Sequence, residues 1–425
     1  MNKTSYAGVK RAWGSLKIAA FLAYKSMRRG NKWALILIIM VMSFSFVNLV
    51  FVSSLISGVT TTMDDQMVDT LFANVVIGPE ENEYYLSKVA QLEDRIEQIP
   101  GVVGASAHLN YSAFVEYQWK EKESQSDRGK SGSWKVIGVA PEKEANVTTI
   151  RENIIEGSYL AGNDRGEIVL GVEIAGGEDA QTSSFLNLGG VRTGDKVRLT
   201  YPNGVQREYK VKGIFRAREL EADNLAFVTR KEMASVLGRD VFYDRASEIL
   251  VKARRNVDES ALIAELKAMG INGEVRSWQE YGGAMHSVMS TFEVIGSLIG
   301  GVGLVVATAV MFIVIYIEVL SKKRQIGVLR AIGIRQSAII GSYLIQAFFY
   351  VIAGIISGWL IVRFVLQPYF MLNPLDLPIG LVSLTVEALT LGGSTLGLVI
   401  AGILAGLIPA WTIMRESIIN LIWGT

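Results

Sequence analysis

The chain has 425 residues, of which 50% are hydrophobic and 20% are charged. This composition is too apolar for an ordinary soluble enzyme unless the hydrophobic residues are concentrated in a few blocks. Four blocks contain no Asp, Glu, Lys or Arg, namely Trp33–Ile56, Val294–Ile317, Ser337–Val362 and Ala388–Met414. Each block exceeds the roughly 20 residues that a helix needs to cross a bilayer. A β-barrel is excluded, because its strands would alternate apolar and polar residues. The sequence therefore predicts a helical membrane protein with four spans.

The net charge of +1 conceals a strong separation of charge along the chain. Residues 58–285 contain 27 Lys and Arg against 36 Asp and Glu, whereas residues 1–32 contain eight basic residues and no acidic one. The short segment 318–336 is also basic, with five Lys and Arg against one Glu. The positive-inside rule places both basic segments in the cytoplasm and the acidic segment outside. Both termini are therefore predicted to be cytoplasmic, in a multi-pass protein of the cell (inner or plasma) membrane.

The first apolar block has an alternative interpretation as a cleaved signal peptide, because Ser53, Ser54 and Ser57 place small residues near its end. The block has 24 residues, which is longer than the 7–15 residues of a signal hydrophobic region. Its removal would also leave an odd number of spans, which conflicts with the charge pattern. A membrane span is therefore preferred. Because the chain has no cysteine, its external segment must be stabilised by its own core.

These observations predict the boundaries of each segment. They are a cytoplasmic basic segment at 1–32, transmembrane helices at 33–57, 291–317, 337–362 and 388–414, an extracytoplasmic domain at 58–290, a cytoplasmic loop at 318–336, a short external loop at 363–387 and a cytoplasmic tail at 415–425.

Two strand–helix–strand patterns lie at the two ends of the external segment. The first comprises a strand at Asn74–Pro79, a helix at Tyr84–Ile99 and a strand at Val102–Tyr117, and the second comprises a strand at Ser247–Ala253, a helix at Asp258–Met269 and a strand at Gly273–Trp278. We expect them to form one α+β subdomain from residues 65–119 and 246–281, although their sequences share negligible identity.

The intervening residues 120–245 are predicted to be a mainly β insertion. Short β-branched runs separated by turn signals occur at Lys135–Val139, Glu167–Val172, Lys196–Tyr201, Glu208–Phe215 and Leu225–Thr229. The polar stretch Glu121–Ser133 is interpreted as a mobile loop. The predicted fold class is therefore an α-helical membrane protein with four transmembrane helices and a large external α+β domain.

The sequence has few residues for catalysis. The phosphate-binding pattern G-x-x-x-x-G-K-[ST] does not occur. With no cysteine and only two histidines, a transition-metal site would need mostly carboxylates. His108 lies in a strand-like run and is interpreted as structural, whereas His286 lies just before the second span and is interpreted as interfacial. Glu293 and Glu318 lie at the ends of that span and can reach the interfaces. We predict no catalytic residue, no metal site, no cofactor on this chain and no nucleic-acid partner.

Glycine pairs at four-residue spacing occur in three spans. Such pairs allow helices to approach closely, within the chain or across a dimer interface, although glycine is also simply frequent in membrane helices. The candidate packing residues are Gly296, Gly300, Gly354, Gly358, Gly393, Gly397, Gly402 and Gly406.

The segment Ser321–Gln336 (SKKRQIGVLRAIGIRQ) is too apolar for a simple linker and too charged for the bilayer interior. Read as a helix, it places Ile326, Leu329 and Ile332 on one side, and Gly333 can end it. Such a helix has two possible uses. It can lie on the anionic leaflet, held by its basic residues, or it can dock its apolar side into a groove of a cytoplasmic partner.

Residues 323–333 (KRQIGVLRAIG) resemble the loop after the second span in ABC-transporter permeases of the MacB/LolC/LolE/FtsX superfamily, whose usual pattern is R-x-x-E-I-G-x-L-R-A-[IL]-G. The resemblance extends over the whole chain, since the order of spans and domains matches. Phrases of the external domain, including Glu167–Ala175 and Lys210–Phe215, are also similar. Two departures are Gln325, where the superfamily usually has Glu, and Ser417, where many members have Pro.

The resemblance implies a function in which an ATPase drives the permease. It implies a cytoplasmic ABC ATPase dimer that holds ATP and magnesium, a second permease that is identical or related, and a coupling helix that docks in the ATPase groove. The implied coupling residues are Lys323, Arg324, Ile326, Gly327, Leu329, Arg330, Ile332 and Gly333. The membrane part would act as a mechanical transmitter, and the external domain would move or extract an amphipathic or hydrophobic cargo such as a lipoprotein, a peptide or a drug-like molecule, in contact with the bilayer and with an accessory protein.

Two other functions stay open at this stage. The chain is alternatively a regulator of the FtsX type that activates an extracytoplasmic cell-wall hydrolase, or a membrane-anchored adhesion or sensor protein without an ATPase. Adjacency to an ATPase gene would separate the last function from the others, and co-purification with a hydrolase or a lipoprotein would separate the first two.

Overall fold

The computed structural model describes residues 3–30, 32–120, 130–178, 180, 186–255, 257–377, 380–386, 388–418 and 421. Within these ranges, side chains are described except at residues 3–13, 34, 283–289, 293, 389 and 390. The chain forms two compact units. The membrane unit comprises residues 1–60, 290–375 and 382–425, and the external unit comprises residues 61–289 and 376–381.

The α-helices, in chain order, are α1 (Lys3–Arg29), α2 (Lys32–Met67), α3 (Val89–Glu97), α4 (Pro141–Glu144), α5 (Val172–Ala175), α6 (Arg230–Leu237), α7 (Arg239–Phe242), α8 (Glu259–Ala268), α9 (Trp278–Tyr281), α10 (Gly283–Ser321), α11 (Lys323–Ala331), α12 (Gln336–Ile361), α13 (Gln367–Leu372) and α14 (Ala388–Met414).

The β-strands are β1 (Val75–Gly78), β2 (Leu86–Ser87), β3 (Val102–Tyr117), β4 (Lys130–Val139), β5 (Ile154–Gly157), β6 (Glu167–Gly171), β7 (Lys196–Thr200), β8 (Gln206–Phe215), β9 (Leu225–Thr229), β10 (Arg245–Ala246), β11 (Glu248–Ala253), β12 (Glu274–Ser277), β13 (Leu375–Leu377) and β14 (Gly380–Val382). Wide π-helical turns follow α2 at Val68–Phe72 and α12 at Val362–Leu366.

Four described helices, α2, α10, α12 and α14, are long and apolar enough to cross a membrane, as the composition predicts. Three of them extend beyond the predicted boundaries at their external ends. The first continues to Met67, the second begins at Gly283, and the third runs through π-helical and α13 residues to Leu372. The absence of charged residues identifies the part of a helix that lies in the hydrocarbon, and it does not identify the end of the helix. Outside the hydrocarbon a helix can continue through polar residues and through a charged residue such as Arg363.

Most of the basic segment at 1–32 forms α1, a helix that was not predicted from the sequence. α1 packs against α12 within the membrane unit. Ala19 and Ala23 are buried, and a Cβ added at Gly341 of α12 would lie 3.2 Å from the Cβ of Ala19. Small residues on both helices therefore permit this close approach.

Four antiparallel strands of the external unit form a sheet in the order β12–β1–β11–β3. Helix α3 connects β1 to β3, and α8 connects β11 to β12. Two split β–α–β units therefore interleave as in a ferredoxin-like subdomain. Their apolar residues form a common core that includes Ile77, Ile96, Val251 and Leu266. This confirms the predicted α+β part built from both ends of the segment.

The insertion forms a small closed barrel. Its pairings run β3–β4–β9–β6–β8–β7 and return to β3, with parallel pairs at β4–β9 and β6–β8. The barrel core includes Leu109, Trp134, Leu170 and Tyr209. Strand β3 belongs to both parts, because its first half pairs with β11 and its second half with β4 and β7. The boundary predicted at residue 119/120 therefore does not separate two independent sheets.

Two predicted elements of the external unit begin at different residues. The helix predicted from Tyr84 begins at Val89, because Leu86–Ser87 pairs with β10 and Lys88 adopts a left-handed backbone with a φ of 55°. The loop predicted at Glu121–Ser133 ends earlier, because residues from Lys130 onward pair along β3 as β4. Residues 121–129 of that loop lie outside the described residues.

The predicted short external loop at 363–387 is largely regular where it is described. After α13, strands β13 and β14 pair with each other. Arg363 donates a hydrogen bond of 3.0 Å to Oε1 of Gln367 one turn later. Glu387 lies outside the described residues.

Candidate functional site at the loop between the second and third membrane helices

Local sequence defines both ends of α11. Helix α10 ends at Ser321, and Lys322 leaves the helical conformation with φ and ψ of −102° and 9°. At the other end, Gly333 has a φ of 95°, which favours glycine. The N–H of Gly333 donates to the carbonyl of Arg330, and that of Ile334 to the carbonyl of Leu329. This pair of bonds is a Schellman motif, which separates α11 from α12, whereas the non-helical Lys322 separates α11 from α10.

The two sides of α11 have different environments. Ile326 is 2% exposed and belongs to the core of the membrane unit, and Leu329 packs partly buried against the same core. Gly327 is also buried. Val328 and Ile332 lie on the other side, 44% and 74% exposed respectively. One apolar side of the helix therefore packs against its own membrane unit. A second apolar side is not covered by any part of the chain that the structure describes.

This distribution corrects the predicted docking face. The sequence placed Ile326, Leu329 and Ile332 together as residues that insert into a partner. The structure turns Ile326 and Leu329 inward, and of the three only Ile332 is accessible. Three-residue spacing does not show which of the three side chains is buried and which is exposed. A helix advances about 300° over three residues, so the three side chains cover an arc of about 120° and can face different surroundings. The exposed apolar pair is Val328 and Ile332, four residues apart.

Polar contacts fix α11 to the end of α14. The Nζ of Lys323 lies 2.6 Å from Oε2 of Glu416, and Nη1 of Arg330 donates to the backbone carbonyl of Glu416 at 2.7 Å. Ile413 and Met414, just before Glu416, are buried in the membrane core together with Ile326. Glu416 was not among the predicted residues. Its signal in the sequence is that it is the sole acidic residue in the predicted cytoplasmic tail 415–425.

A second set of polar contacts fixes the start of α11 to α10, α1 and α12. The Nζ of Lys322 donates to Oε1 of Glu318 and to Oγ of Ser26, each at 2.6 Å. Ser26 also lies 3.2 Å from Oε1 of Gln346 on α12. Four helices therefore meet at one partly buried ion pair. Ser26 and Gln346 were not predicted, because nothing local in their sequence marks them.

The remaining predicted coupling residue, Arg324, is exposed on the side of α11 that carries Val328. Gln325, which stands where the superfamily usually has Glu, is exposed as well. The uncovered surface of α11 therefore combines a cation, an amide and two apolar side chains. We call this surface, formed by Arg324, Gln325, Val328 and Ile332, the coupling surface.

The predicted glycines differ in how tightly they pack. A Cβ at Gly354 would lie 2.5 Å from the Cβ of Met42, and one at Gly406 would lie 2.6 Å from the Cβ of Ala347. Gly358 is similarly tight against Phe46, Gly296 would meet Ile56, and Gly402 would meet Val351. Gly300 and Gly397 have ordinary contacts of 3.6 Å, and Gly393 faces open space. The tight positions therefore bring helices together within the chain.

His108 lies in a buried ion network of the external unit. Its Nε2 is 2.7 Å from Oε2 of Glu144, and its Nδ1 is 3.7 Å from Oε1 of Glu248. Burial alone would lower the pKa of His108, but the charges and hydrogen bonds of the two glutamates raise it to about 9. His108 is therefore held between two buried carboxylates, and its structural role stays a prediction. The side chain of His286 lies outside the described residues.

Comparison with protein families gives two adjacent matches. Residues 35–269 match the model described as MacB-like periplasmic core domain, which is more than half of the chain. Residues 297–418 match the model described as FtsX-like permease C-terminal. The second match contains α11 and the whole coupling surface. The comparison with curated proteins gives no match.

Two solved structures are similar to the external part at low identity. The periplasmic region of MacB from Actinobacillus actinomycetemcomitans has 12% identity and a TM-score of 0.34, covering 53% of this chain and 98% of that one. The extracellular domain of the ABC-type transporter YknZ from Gram-positive bacteria has 12% identity and a TM-score of 0.32, covering 48% of this chain and 97% of that one. Both TM-scores are below 0.5, so the family assignment depends on the sequence matches.

Proposed function

Because the chain belongs to the MacB/FtsX superfamily of ABC-transporter permeases, we propose that it transmits the motion of a cytoplasmic ATPase dimer to its external unit. In this proposal the ATPase docks on the coupling surface, and the chain itself holds no ATP. A second permease, identical or related, completes the assembly. The external unit exports or extracts an amphipathic or hydrophobic cargo, such as a lipoprotein, a peptide or a drug-like molecule.

The observation that carries the proposal is the two-sided environment of α11. A helix that transmits force must be held firmly on one side and accessible on the other. Ile326 and the Lys323–Glu416 pair hold α11 to its own unit, whereas Val328 and Ile332 remain uncovered. An apolar pair at i and i+4 matches the spacing with which helices dock into grooves.

The contacts of α11 supply a physical route for the motion. A displacement of α11 acts on α14 through Glu416, and on α10, α1 and α12 through Lys322 and its partners. The chain enters the main part of the external unit, residues 61–289, through α2 and leaves it through α10. We propose that displacement of the membrane unit reaches residues 61–289 through these two helices. This is a coupling between sites of the kind seen in rigid-body transitions.

The decisive experiment replaces Ile332 by Asp. Docking would bury most of its exposed side chain and contribute about 2 kcal/mol, so we expect roughly thirtyfold weaker binding of the ATPase. Gln336→Asp is the matched control, because it makes the same charge change at an exposed position of the same loop and lies at the start of α12, where an acid is favourable. The measurement is the amount of co-purified ATPase and its activity in mild detergent.

If α11 instead lies on the membrane surface, the replacement of Arg324 should have a larger effect than the replacement of Ile332. Arg324→Gln would then weaken the contact of α11 with anionic lipid in a salt-dependent manner, and Ile332→Asp would retain the ATPase. Wild-type association and activity in Ile332→Asp would refute the docking proposal. Leu329→Asp is unsuitable as the main test, because Leu329 packs against the core of the membrane unit and its replacement would disturb the seating of α11.

Affinity purification from native membranes followed by mass spectrometry addresses the cargo. A bound lipoprotein, peptide or hydrophobic small molecule would support transport. A stoichiometric cell-wall hydrolase in place of cargo would instead support the regulatory function of FtsX-type members.

A further inference from the structure

A basic cleft lies in the external unit beside α6 and α7. It has a volume of about 590 Å³, within the range of ligand sites. Five cationic side chains line it, against two acidic ones. The cationic residues are Arg165, Arg207, Arg230, Lys231 and Arg239. This concentration is notable because residues 58–285 as a whole carry nine more acidic than basic residues.

Both acids in the cleft are already engaged by the protein. Oε1 of Glu232 lies 3.2 Å from Nε of Arg207. Oδ1 of Asp244 accepts a hydrogen bond of 3.0 Å from the backbone N–H of Ala90 in the first turn of α3. Five cations against two carboxylates leave the lining of the cleft with a formal excess of three positive charges.

Three of the cations lack a carboxylate partner. Within the described residues, Arg165, Lys231 and Arg239 form no ion pair, and Arg239 instead stacks near the ring of Tyr243 at 6.0 Å. Arg230 is partly compensated, since its Nη1 is 3.8 Å from Oε1 of Glu93. That Nη1 is buried and has no hydrogen-bond partner. Arg165, Lys231 and Arg239 are exposed, so an incoming anion can reach their charged groups.

We propose that this cleft binds a phosphate group of an extracytoplasmic ligand. Guanidinium groups match the oxygens of phosphate with paired hydrogen bonds. A carboxylate carries one negative charge and two acceptor oxygens. Three unpaired cations are better matched by a group with more charge or more acceptor oxygens, such as phosphate. The proposal is independent of ATPase docking, because the cleft and the coupling surface are in different units. The phosphate can be free or can belong to the headgroup of an anionic lipid.

The test uses the absence of cysteine in the chain. Ser235 is exposed at the cleft, so Ser235→Cys in the full chain can carry a single uncharged fluorophore there. The purified protein in a neutral maltoside detergent is titrated with inorganic phosphate, with dihexanoyl phosphatidylglycerol below its micelle concentration, and with acetate. We expect a saturable response to phosphate or to the lipid, and at least tenfold weaker binding of acetate.

The variants then locate the response. Arg165→Gln, Lys231→Gln and Arg239→Gln combined should weaken binding at least tenfold. The control combines Lys210→Gln, Arg255→Gln and Lys267→Gln, which removes three exposed cations elsewhere in the same unit and should change the affinity less than twofold. If the triple variant does not fold, Lys231→Gln alone, exposed on α6, should weaken binding at least threefold.

A response to inorganic phosphate alone assigns the cleft to the free ion, and a response to phosphatidylglycerol alone assigns it to a lipid headgroup. The proposal is overturned by the absence of any saturable response, by equal affinity for acetate, or by unchanged affinity in the triple variant and in Lys231→Gln.

Discussion

At the scale of single residues, His108 is the clearest case of a side chain whose charge is set by its surroundings. It is 2% exposed and sits between Glu144 and Glu248, which are also buried. Burial by itself would raise the pKa of Glu248, but hydrogen bonding and charge from His108 and its neighbours lower it to about 2. Oε2 of Glu248 also accepts a hydrogen bond of 2.5 Å from Tyr281 of α9. One network therefore connects β3, α4, β11 and α9 within the external unit.

The pKa of His108 is raised from 6.5 to about 9 in the folded protein. Because the pKa of His108 is higher in the folded protein than in the unfolded chain, protonation of His108 stabilises the fold. This contribution is complete below the pKa of the unfolded chain, near 6.5, and is lost as the pH rises through about 9. His108→Gln would leave two buried carboxylates without their cation, so we expect a loss of about 3 kcal/mol of unfolding free energy at pH 6. The difference from wild type should shrink as the pH rises to about 9.5.

Thermal unfolding of the full chain between pH 6 and about 9.5, followed by tryptophan fluorescence, measures this effect. His286→Gln removes the other histidine and serves as the control, which should not reproduce the pH dependence. A destabilisation in His108→Gln that is independent of pH would show that the imidazole is uncharged in the folded unit.

At the scale of elements, helix contacts within the membrane unit depend on particular glycines. A Cβ on Gly354 of α12 would lie 2.5 Å from the Cβ of Met42, and its next neighbours are the backbone atoms of Met42 and Ser43 at 3.1 and 3.2 Å. Backbone cannot move aside as a flexible side chain does. This glycine therefore sets the distance between α2 and α12.

Gly354→Ala should destabilise the membrane unit by about 1–3 kcal/mol through overpacking. Gly393→Ala is the matched control in α14, because a Cβ there meets nothing within 4 Å and alanine favours helix by up to about 1 kcal/mol. The measurement is the apparent melting temperature of the detergent-solubilised chain. Equal melting temperatures for the two variants would contradict the assigned role of Gly354.

At the scale of the whole molecule, the separation of charge predicts the orientation in the membrane. Single cysteines at Ser235 of α6 and Ser321 at the end of α10 are both exposed and can be introduced into the cysteine-free chain. A membrane-impermeant maleimide added to spheroplasts should label Ser235→Cys at once and Ser321→Cys only after permeabilisation. Labelling of both positions from outside would reject the predicted topology and, with it, docking of a cytoplasmic ATPase on α11.

Much of the architecture follows from the sequence because the relevant signals are local. The charge-free blocks identify the spans, since the hydrocarbon core penalises every charged residue independently. Short, largely apolar runs such as Leu225–Thr229 identify strands, and Asp258 caps α8 by accepting a hydrogen bond from the backbone N–H of Ser260. The Schellman glycine Gly333 ends α11 where the pattern predicts.

Other features depend on which residues meet in space, and a sequence pattern does not specify that. Ile326 and Ile332 are equally apolar, but packing of the membrane core buries the first and leaves the second exposed. Closure of the barrel depends on β7 reaching both β3 and β8. The partners of His108, Lys322 and Lys323 come from elements far apart in the chain.

The sequence by itself thus determined the spans, the strands, the charge separation and the family, because each is encoded in neighbouring residues. Only the tertiary structure decided which side of α11 is accessible and which cations of the external unit converge, because burial and charge compensation depend on long-range contacts.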